Sequence, residues 1–219
     1  MTVLILGASG SAGGGVLQAC LACEVVEVKA ITRRPLGVAH TMLKEFRHDN
    51  YRDFTDVEGA FRDVDACFYC LGKSVRQVSS EAEYRTITYE FAMSAARALH
   101  AKSPGAVFHF ISGSGASLKS PFMWARVKAE TERDLIARFE AVCWRPGSID
   151  GVPSASEPVL YKAFRPVARV VLKPFRSLYV TAEDIGLAMI LASVQGIRGR
   201  VIENAEIRDL ADRQRAASR

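Results

Sequence analysis

The sequence lacks the features that mark membrane, secreted and nucleic-acid-binding proteins. No apolar run reaches the roughly 18 residues of a membrane span. The first residues show neither the charged n-region nor the apolar h-region of a signal peptide. There is also no dense basic run, since 29 Lys and Arg against 24 Asp and Glu leave a net charge of only +5. We therefore expect no membrane span, no nucleic-acid partner and a cytoplasmic location.

Cysteine is scarce, with five residues, and its spacing does not favour a metal site. Two pairs have C-x-x-C spacing, Cys20 with Cys23 and Cys67 with Cys70. The first pair lies late in a predicted helix and the second in a predicted buried strand, where positions three apart point to opposite faces. We expect reduced thiols and no bound metal.

A glycine-rich stretch at the N-terminus carries the strongest motif. Residues 2–6 form an apolar run typical of a buried strand, and glycines then recur with G-x-x-G-x-x-G spacing before a predicted helix. Glycine lets a phosphate approach the backbone, and the helix N-terminus offers free N–H groups and a positive dipole end. The motif predicts a dinucleotide pyrophosphate site. Its expected binding residues are Gly7, Ser9, Gly10, Ser11, Ala12 and Gly13.

Two arginines follow the second predicted strand, 25–32, where an NAD-preferring site would carry an acidic residue for the ribose 2′-hydroxyl. Arg33 and Arg34 stand there instead, and a guanidinium suits a 2′-phosphate because it binds bidentately. We therefore expect NADP rather than NAD. The alternative is that both arginines only solvate a loop.

Two further stretches are candidates for the rest of the dinucleotide. Asp49 and Asn50 follow a weak strand at 43–47, where an acid could accept from the adenine amino group; an Asp-Asn turn is the alternative. Leu71 and Gly72 end a strand at 65–72, where the backbone could pass close to the cofactor ribose.

Strands and helices alternate along the chain, which predicts a doubly wound parallel sheet with helices on both faces, in one domain over 1–219. The residues after 150 break this pattern: 151–177 contain four prolines and a basic amphipathic piece. We expect a small lid or substrate lobe there, or else a contact with a membrane surface or a partner. The remaining predicted strands are 106–111, 141–145, 178–180 and 199–203, and the helices are 12–23, 56–62, 80–101, 122–139, one over 184–192 capped by Thr181, and 204–212 with a frayed tail at 213–219.

A loop of small residues, 112–116, follows the predicted strand 106–111 at the edge where open α/β sheets place their active sites. Ser112 and Ser114 are candidates for catalysis there, or else form a flexible turn. The next helix contains Trp124 and Lys128, whose four-residue spacing puts both side chains on one helix face.

These motifs together resemble an atypical short-chain dehydrogenase/reductase, and more narrowly the Tat-interacting-protein-type NADPH oxidoreductases and their epimerase-like relatives. The resemblance covers nearly the whole chain and implies a Rossmann fold. It rests on the glycine loop, Thr32-Arg33-Arg34, Cys70-Leu71-Gly72, Ser112, Lys128, Arg145-Pro146-Gly147 and residues 180–184. It also adds Arg145, Pro146, Gly147 and Lys128 to the expected cofactor contacts.

The family resemblance implies a catalytic serine, tyrosine and lysine. Ser112 occupies the serine position and Lys128 the lysine position, but Trp124 stands where the proton-transferring tyrosine is expected. An indole N–H donates a hydrogen bond and cannot shuttle a proton. Three other tyrosines, Tyr84, Tyr89 and Tyr161, are candidates for that role.

Two functions follow as expectations. The first is an NADPH-dependent oxidoreductase acting on a small carbonyl compound, and the second is a non-catalytic NADP(H)-sensing regulator or interaction protein. The long helices at 80–101 and 122–139 could also pair across a homodimer.

Overall fold

The computed structural model describes residues 1–23, 26–152 and 178–217. The strands in these residues are β1 (Thr2–Leu6), β2 (Glu27–Thr32), β3 (Leu43–Arg47), β4 (Ala66–Tyr69), β5 (Val107–Ile111), β6 (Val142–Arg145), β7 (Ser148–Asp150), β8 (Tyr179–Thr181) and β9 (Arg200–Glu203). Seven of them form one parallel sheet in the order β3-β2-β1-β4-β5-β6-β9, and β7 pairs with β8 in a separate small sheet. The predicted doubly wound α/β fold is confirmed.

Six α-helical segments accompany the sheet in the described residues: α1 (Ser11–Leu21), α2 (Glu81–Arg85), α3 (Phe91–Lys102), α4 (Met123–Phe139), α5 (Ala182–Val194) and α6 (Asn204–Ala217). A π-helical turn, Thr86–Glu90, joins α2 to α3, so that the helix predicted over 80–101 is continuous. Ser80 caps it by accepting from the Glu83 N–H at 3.1 Å. Short 3₁₀ turns lie at Thr55–Phe61 and Val75–Gln77.

The central strands are buried on both faces, as expected for a parallel sheet covered by helices. One apolar cluster packs α1, α5 and α6 against one face, and a second packs α3 and α4 against the other. The first layer is tightly spaced because glycines face alanines: a Cβ on Gly15 would lie 2.4 Å from that of Ala182, and one on Gly186 would lie 2.7 Å from that of Ala19. This contact fixes α1 and the loop that precedes it.

Strand register places the ends of three neighbouring strands level with one another. Leu6 pairs with Tyr69, and Tyr69 pairs with Phe110. The residues that follow β1, β4 and β5 therefore emerge side by side at the carboxyl edge of the sheet. Neighbouring strands lie about 4.8 Å apart, so the ends of β1 and β5 are separated by roughly 10 Å.

The prediction of a frayed tail from residue 213 is wrong, because α6 continues to Ala217. Arg215 in its last turn donates to the Asp184 carboxylate, which ties the end of α6 to the start of α5. Asp184 also completes the predicted cap, since its N–H donates to Thr181 Oγ1 at 3.0 Å and its carboxylate accepts from the Thr181 N–H at 3.1 Å. The sequence gives no local sign of the Arg215 contact, because its partner lies 31 residues earlier.

Strand β4 is shorter than predicted and ends at Tyr69. Cys70 still donates from its N–H to the Leu6 carbonyl at 2.8 Å. Of the expected lobe at 151–177, residues 151 and 152 are described, and 153–177 lie outside the described residues. The described chain resumes at residue 178.

Candidate functional site

The glycine loop between β1 and α1 has the close backbone approaches that its spacing predicts. Gly7 has φ +88°, and a Cβ there would lie 2.8 Å from the carbonyl carbon of Cys70. A Cβ on Gly13 would lie 2.1 Å from the Gly7 carbonyl oxygen. That oxygen accepts from the Gly10 N–H at 2.9 Å. Only glycine fits at either position, so the loop folds as a tight cradle under the start of α1.

Gly10 is the N-cap of α1, and no side chain caps this helix end. The first-turn N–H groups of a helix have no intrahelical partner, and the helix dipole adds positive charge there. With Ser9 exposed and Ser11 and Ala12 in the first turn, the loop offers several donors to one anionic group. The cradle therefore fits a pyrophosphate.

The chain after β7 passes over this helix start, and no sequence pattern predicts this contact. Val152 donates from its N–H to the Ser11 carbonyl at 2.9 Å. A Cβ on Gly151 would lie 2.3 Å from Ser11 Oγ. Only a glycine lets the chain come so close to Ser11. The Gly151-Val152 pair lies far along the sequence from the glycine loop, and no sequence pattern indicates that the two segments are in contact.

Arg33 and Arg34 lie just past β2 with exposed side chains and fixed backbones. The Arg33 carbonyl accepts from Arg47 Nη2 at 2.6 Å, and the Arg34 carbonyl accepts from Thr32 Oγ1 at 2.7 Å. Within residues 1–23, 26–152 and 178–217, no carboxylate pairs with either guanidinium. Both guanidinium groups therefore lie at the carboxyl edge of the sheet. They follow β2, which is next to β1 in the sheet, and β1 leads into the glycine loop.

The next candidates differ in how far their side chains are engaged. Asn50 forms a turn, since its Oδ1 accepts from the Arg52 N–H at 3.2 Å. Asp49 is exposed, and no hydrogen bond to its carboxylate is found in the described part of the chain. Leu71 and Gly72 follow β4, and the Leu71 nitrogen would lie 2.8 Å from a Cβ on Gly7. The structure therefore brings Leu71 to the glycine loop. The Asn50 side-chain oxygen is used in the turn, while the Asp49 carboxylate is exposed.

Ser112 lies immediately after β5 and is almost fully buried, with 2% of its surface exposed. Its N–H donates to the Trp144 carbonyl at 2.7 Å. Its hydroxyl has no hydrogen-bond partner, and no other buried side-chain oxygen or nitrogen of the described residues shares this condition. A buried hydroxyl without a partner costs about 1–3 kcal/mol, so this oxygen is a group that a ligand would satisfy.

Lys128 and Trp124 pack together on the loop that begins at Ser112. The Lys128 ammonium donates to the Ser112 carbonyl. A Cβ on Gly113 would lie 3.4 Å from Lys128 Nζ and 3.7 Å from the Trp124 ring, and one on Gly115 would lie 3.9 Å from that ring. Trp124 and Lys128 therefore lie on one face of α4, as their four-residue spacing predicts, and both side chains are half-buried against the same loop.

The Lys128 amine is perturbed by its surroundings. Burial lowers its pKa from 10.5 to about 8, and the Glu132 carboxylate one turn further along α4 acts in the opposite direction. Glu132 is largely engaged elsewhere, because Arg145 from β6 binds it with Nε at 2.9 Å and Nη2 at 2.6 Å. Lys128 thus has a carbonyl as its hydrogen-bond partner rather than a carboxylate.

Arg145, which the resemblance adds to the expected cofactor contacts, has its guanidinium paired with two carboxylates. Its guanidinium is held between the buried Glu132 carboxylate and Glu203, which accepts from Nη1 at 3.1 Å. These carboxylates raise the pKa of Arg145. The rest of the Arg-Pro-Gly turn shapes the site by its backbone: the Pro146 carbonyl accepts from the Ser114 N–H at 2.9 Å, and the Gly147 N–H donates to Asn204 Oδ1 at 2.7 Å.

The tyrosines expected as substitutes for Trp124 are engaged where they are described. Tyr89 donates its hydroxyl to Asp134 at 2.7 Å, and this bond raises its pKa. Tyr84 is buried, and burial raises its pKa despite a hydrogen bond with Thr88. Tyr161 lies outside the described residues. A raised pKa moves a phenol further from proton transfer near neutral pH.

The thiols and the described helices were the remaining sequence features that could indicate a metal site or a membrane span. All five thiols are free, with Cys20, Cys67 and Cys143 buried. In the three described ranges, no group of three or more potential metal ligands comes together. Likewise, none of the helices described has the length and apolar character needed to cross a bilayer.

Comparison with known sequences gives distant relatives of one kind, and no family model matches the chain. The protein named fmp52-1, mitochondrial, of Aspergillus terreus is 28% identical over 218 residues, which cover 94% of this chain and 92% of that protein. The protein named FMP52, mitochondrial, of Candida albicans is 24% identical over 216 residues, covering 92% and 91%.

These names contradict the cytoplasmic location expected from the sequence, since four relatives of this kind are named as mitochondrial. The expectation was wrong because it rested on the absence of a secretory signal. The absence of such a signal does not distinguish one compartment from another.

Comparison with solved structures confirms the fold. MoeE5 in complex with UDP-glucuronic acid and NAD superposes with a TM-score of 0.70 at 17% identity, covering 92% of this chain and 75% of that one. A short chain dehydrogenase family protein from Francisella tularensis gives 0.66 at 15% identity, covering 92% and 95%. UDP-N-acetylglucosamine 4-epimerase from Bacillus cereus gives 0.68 at 14% identity, covering 95% and 83%. The chain has the Rossmann fold of short-chain dehydrogenases and epimerases, as the sequence resemblance predicted.

Proposed function

We propose that this protein is an NADP(H)-dependent oxidoreductase acting on a small carbonyl compound. The observation that carries the proposal is the buried, unpartnered hydroxyl of Ser112 beside the Lys128 amine, two strands from the glycine cradle. A hydroxyl with an unused hydrogen-bond donor is suited to a carbonyl oxygen, and the amine supplies a nearby proton.

The chain's own residues would hold the coenzyme in sequence along the carboxyl edge. The N–H groups at the start of α1 would bind the pyrophosphate. Arg33 and Arg34 would bind a ribose 2′-phosphate, and Asp49 would accept from the adenine amino group. Leu71 and Gly72 would lie along the nicotinamide ribose. When bound, the nicotinamide ring supplies or accepts a hydride. NAD is named in the complexes of structural neighbours that include MoeE5 and UDP-glucuronic acid 4-epimerase from Bacillus cereus.

Ser112 would position the substrate by donating its hydroxyl hydrogen to the carbonyl oxygen. The Ser112 backbone is held from both sides, by its own N–H to Trp144 and by Lys128 to its carbonyl. A fixed donor of this kind favours the state in which negative charge develops on that oxygen.

A non-catalytic NADP(H)-sensing regulator is the second candidate, and Trp124 is the observation that favours it. The indole occupies the helix position where the resemblance places a phenol, against Gly113 and Gly115 of the loop. An indole cannot transfer a proton, while binding of the dinucleotide does not require one. In this case, the homodimer predicted from the long helices would be part of the response to coenzyme binding.

Coenzyme binding separates NADP from NAD and tests the first step of the proposal. We expect NADPH to bind more tightly than NADH, measured by the change in protein or coenzyme fluorescence. Replacing Arg33 and Arg34 by alanine should weaken NADPH binding by about 10- to 100-fold and leave NADH nearly unchanged, since charge-assisted hydrogen bonds contribute about 1.5–3 kcal/mol.

Arg97 provides the matched control, because it is an exposed arginine on α3 with no ion pair in the described ranges. Arg97→Ala should change neither affinity. Equal binding of NADH and NADPH by the unaltered protein would refute the role given to Arg33 and Arg34.

The choice between enzyme and sensor is tested by Trp124→Tyr. If the remaining site is built for reduction, a phenol beside Lys128 should raise NADPH-dependent reduction of a panel of small aldehydes and ketones. Retained NADPH binding with no reduction by either protein would favour the sensor.

A further inference from the structure

The proposed reduction needs a proton donor, and the described phenols do not provide one. Tyr51 and Tyr84 are buried, and burial raises the pKa of both, while Tyr89 is bound to Asp134. Tyr69 donates to the Ile87 carbonyl at 3.1 Å, and Tyr179 donates to Asp150 at 2.7 Å. Among the described residues, the Lys128 amine is a titratable group held at the loop that follows β5.

We propose that Lys128 is the residue that protonates the substrate oxygen, with the Ser112 hydroxyl holding that oxygen in place; this rests on the proposed reductase function. Two contacts support the assignment. The Lys128 amine donates to the backbone carbonyl of Ser112, the same residue that carries the unpartnered hydroxyl. Trp124, one turn earlier on the same helix face, packs on the same loop and offers no transferable proton.

The proton balance of the step is simple. As hydride from the reduced coenzyme forms a C–H bond at the carbonyl carbon, the carbonyl oxygen takes a proton from the Lys128 ammonium. One N–H bond breaks and one O–H bond forms, which leaves a neutral amine and an alcohol. A proton from solvent restores the Lys128 ammonium before the next turnover, so each turnover consumes one carbonyl, one reduced coenzyme, which becomes oxidised, and one proton.

The charged groups around Lys128 allow it to act in this way. Glu132 is the carboxylate that acts on it from its own helix, and Arg145 from β6 neutralises Glu132. The loop 112–116 has no titratable side chain. From the neighbouring α2 and π-helical turn, Arg85 binds Glu130 and Tyr89 binds Asp134, so these groups are engaged with each other. With its pKa lowered to about 8, the ammonium gives up a proton more readily than an ordinary lysine does.

The pH profile and a variant set test the assignment. At saturating NADPH, the rate of reduction should be level below about pH 8 and fall tenfold for each pH unit above it, because the acid is then lost. Lys128→Met should lower kcat by about 100-fold or more, even when NADPH is raised to saturation. Lys119→Met is the matched control, because Lys119 is an exposed lysine between β5 and α4, and it should leave kcat unchanged.

A titration without coenzyme or substrate provides an independent readout. Lysine amines labelled by reductive methylation with ¹³C should include one signal that titrates near pH 8, and this signal should be missing from Lys128→Met. In the double variant Trp124→Tyr with Lys128→Met, the phenol should restore part of kcat and move the inflection of the profile.

The outcomes distinguish the two proposals. If the protein reduces carbonyls and Lys128→Met changes only the NADPH requirement, with kcat within threefold, the lysine binds the coenzyme and the acid assignment is overturned while the reductase stands. A Lys128 signal that titrates near the ordinary value of 10.5 would overturn the assignment by itself. If the unaltered protein reduces no carbonyl of the panel, the reductase proposal fails first and the acid role fails with it.

Discussion

Replacing Gly13 with alanine should disable the dinucleotide cradle, and the neighbouring Gly14 provides a control within the same helix turn. A Cβ on Gly13 would lie 2.1 Å from the Gly7 carbonyl oxygen, whereas Cβ contacts under 3.0 Å essentially never occur. The neighbour is backbone, so the loop must move by about 1 Å. A Cβ on Gly14 would meet the Val152 side chain at 3.4 Å and the Ala8 carbonyl oxygen at 3.6 Å, which are ordinary contacts.

The magnitudes follow from these distances. Alanine in place of glycine stabilises a helix by up to about 1 kcal/mol, and this gain applies to both positions. Overpacking against a rigid neighbour costs about 1–3 kcal/mol and applies to Gly13 alone. We expect Gly13→Ala to be less stable than Gly14→Ala by about 1–3 kcal/mol.

Binding should change more sharply than stability. The displaced loop no longer presents the first-turn N–H groups of α1 as one set of donors, so NADPH affinity should fall at least about tenfold in Gly13→Ala, or about 1.4 kcal/mol. In Gly14→Ala it should stay within threefold. Urea denaturation gives the first comparison, and fluorescence titration with NADPH gives the second. Equal affinities in the two variants would refute the geometry assigned to the cradle.

Two further perturbations test groups buried around the site. Glu132→Gln removes the carboxylate that holds the half-buried Arg145, so urea denaturation should show a loss of about 2–4 kcal/mol, and the inflection of the Lys128 profile should move to lower pH; an unchanged inflection would contradict the influence of Glu132 on the amine. His109 is fully buried, and burial lowers its pKa from 6.5 to about 3. Between these values the unfolded chain binds a proton that the folded protein does not, so stability should fall as the pH drops from about 6.5 towards 3, by up to about 4 kcal/mol. His109→Gln should flatten this slope, and a slope that is unaltered in the variant would assign the effect to other groups.

The fold could be predicted from local patterns because each pattern reports a strong local preference. Apolar runs of strand length gave β1, β3 and β5 to within a residue at each end, and the Thr181 cap with Asp184 marked the start of α5. Alternation of strands with helices then leaves few sheet topologies, since parallel crossovers have one hand. The end of α6 was missed because Arg215 is held by a residue distant in the chain.

The sequence by itself determined the tight glycine loop between β1 and α1: glycine spacing is a backbone requirement, and Gly7 and Gly13 show it in their contacts with Cys70 and with each other. Only the tertiary structure decided which side chains remain available. Arg145 is paired with Glu132 from a helix, Asn50 is used in a turn, and Ser112 keeps an unpartnered hydroxyl beside Lys128. Hydrogen-bond partners are set by strands and helices that meet across the sheet, and no local pattern records them.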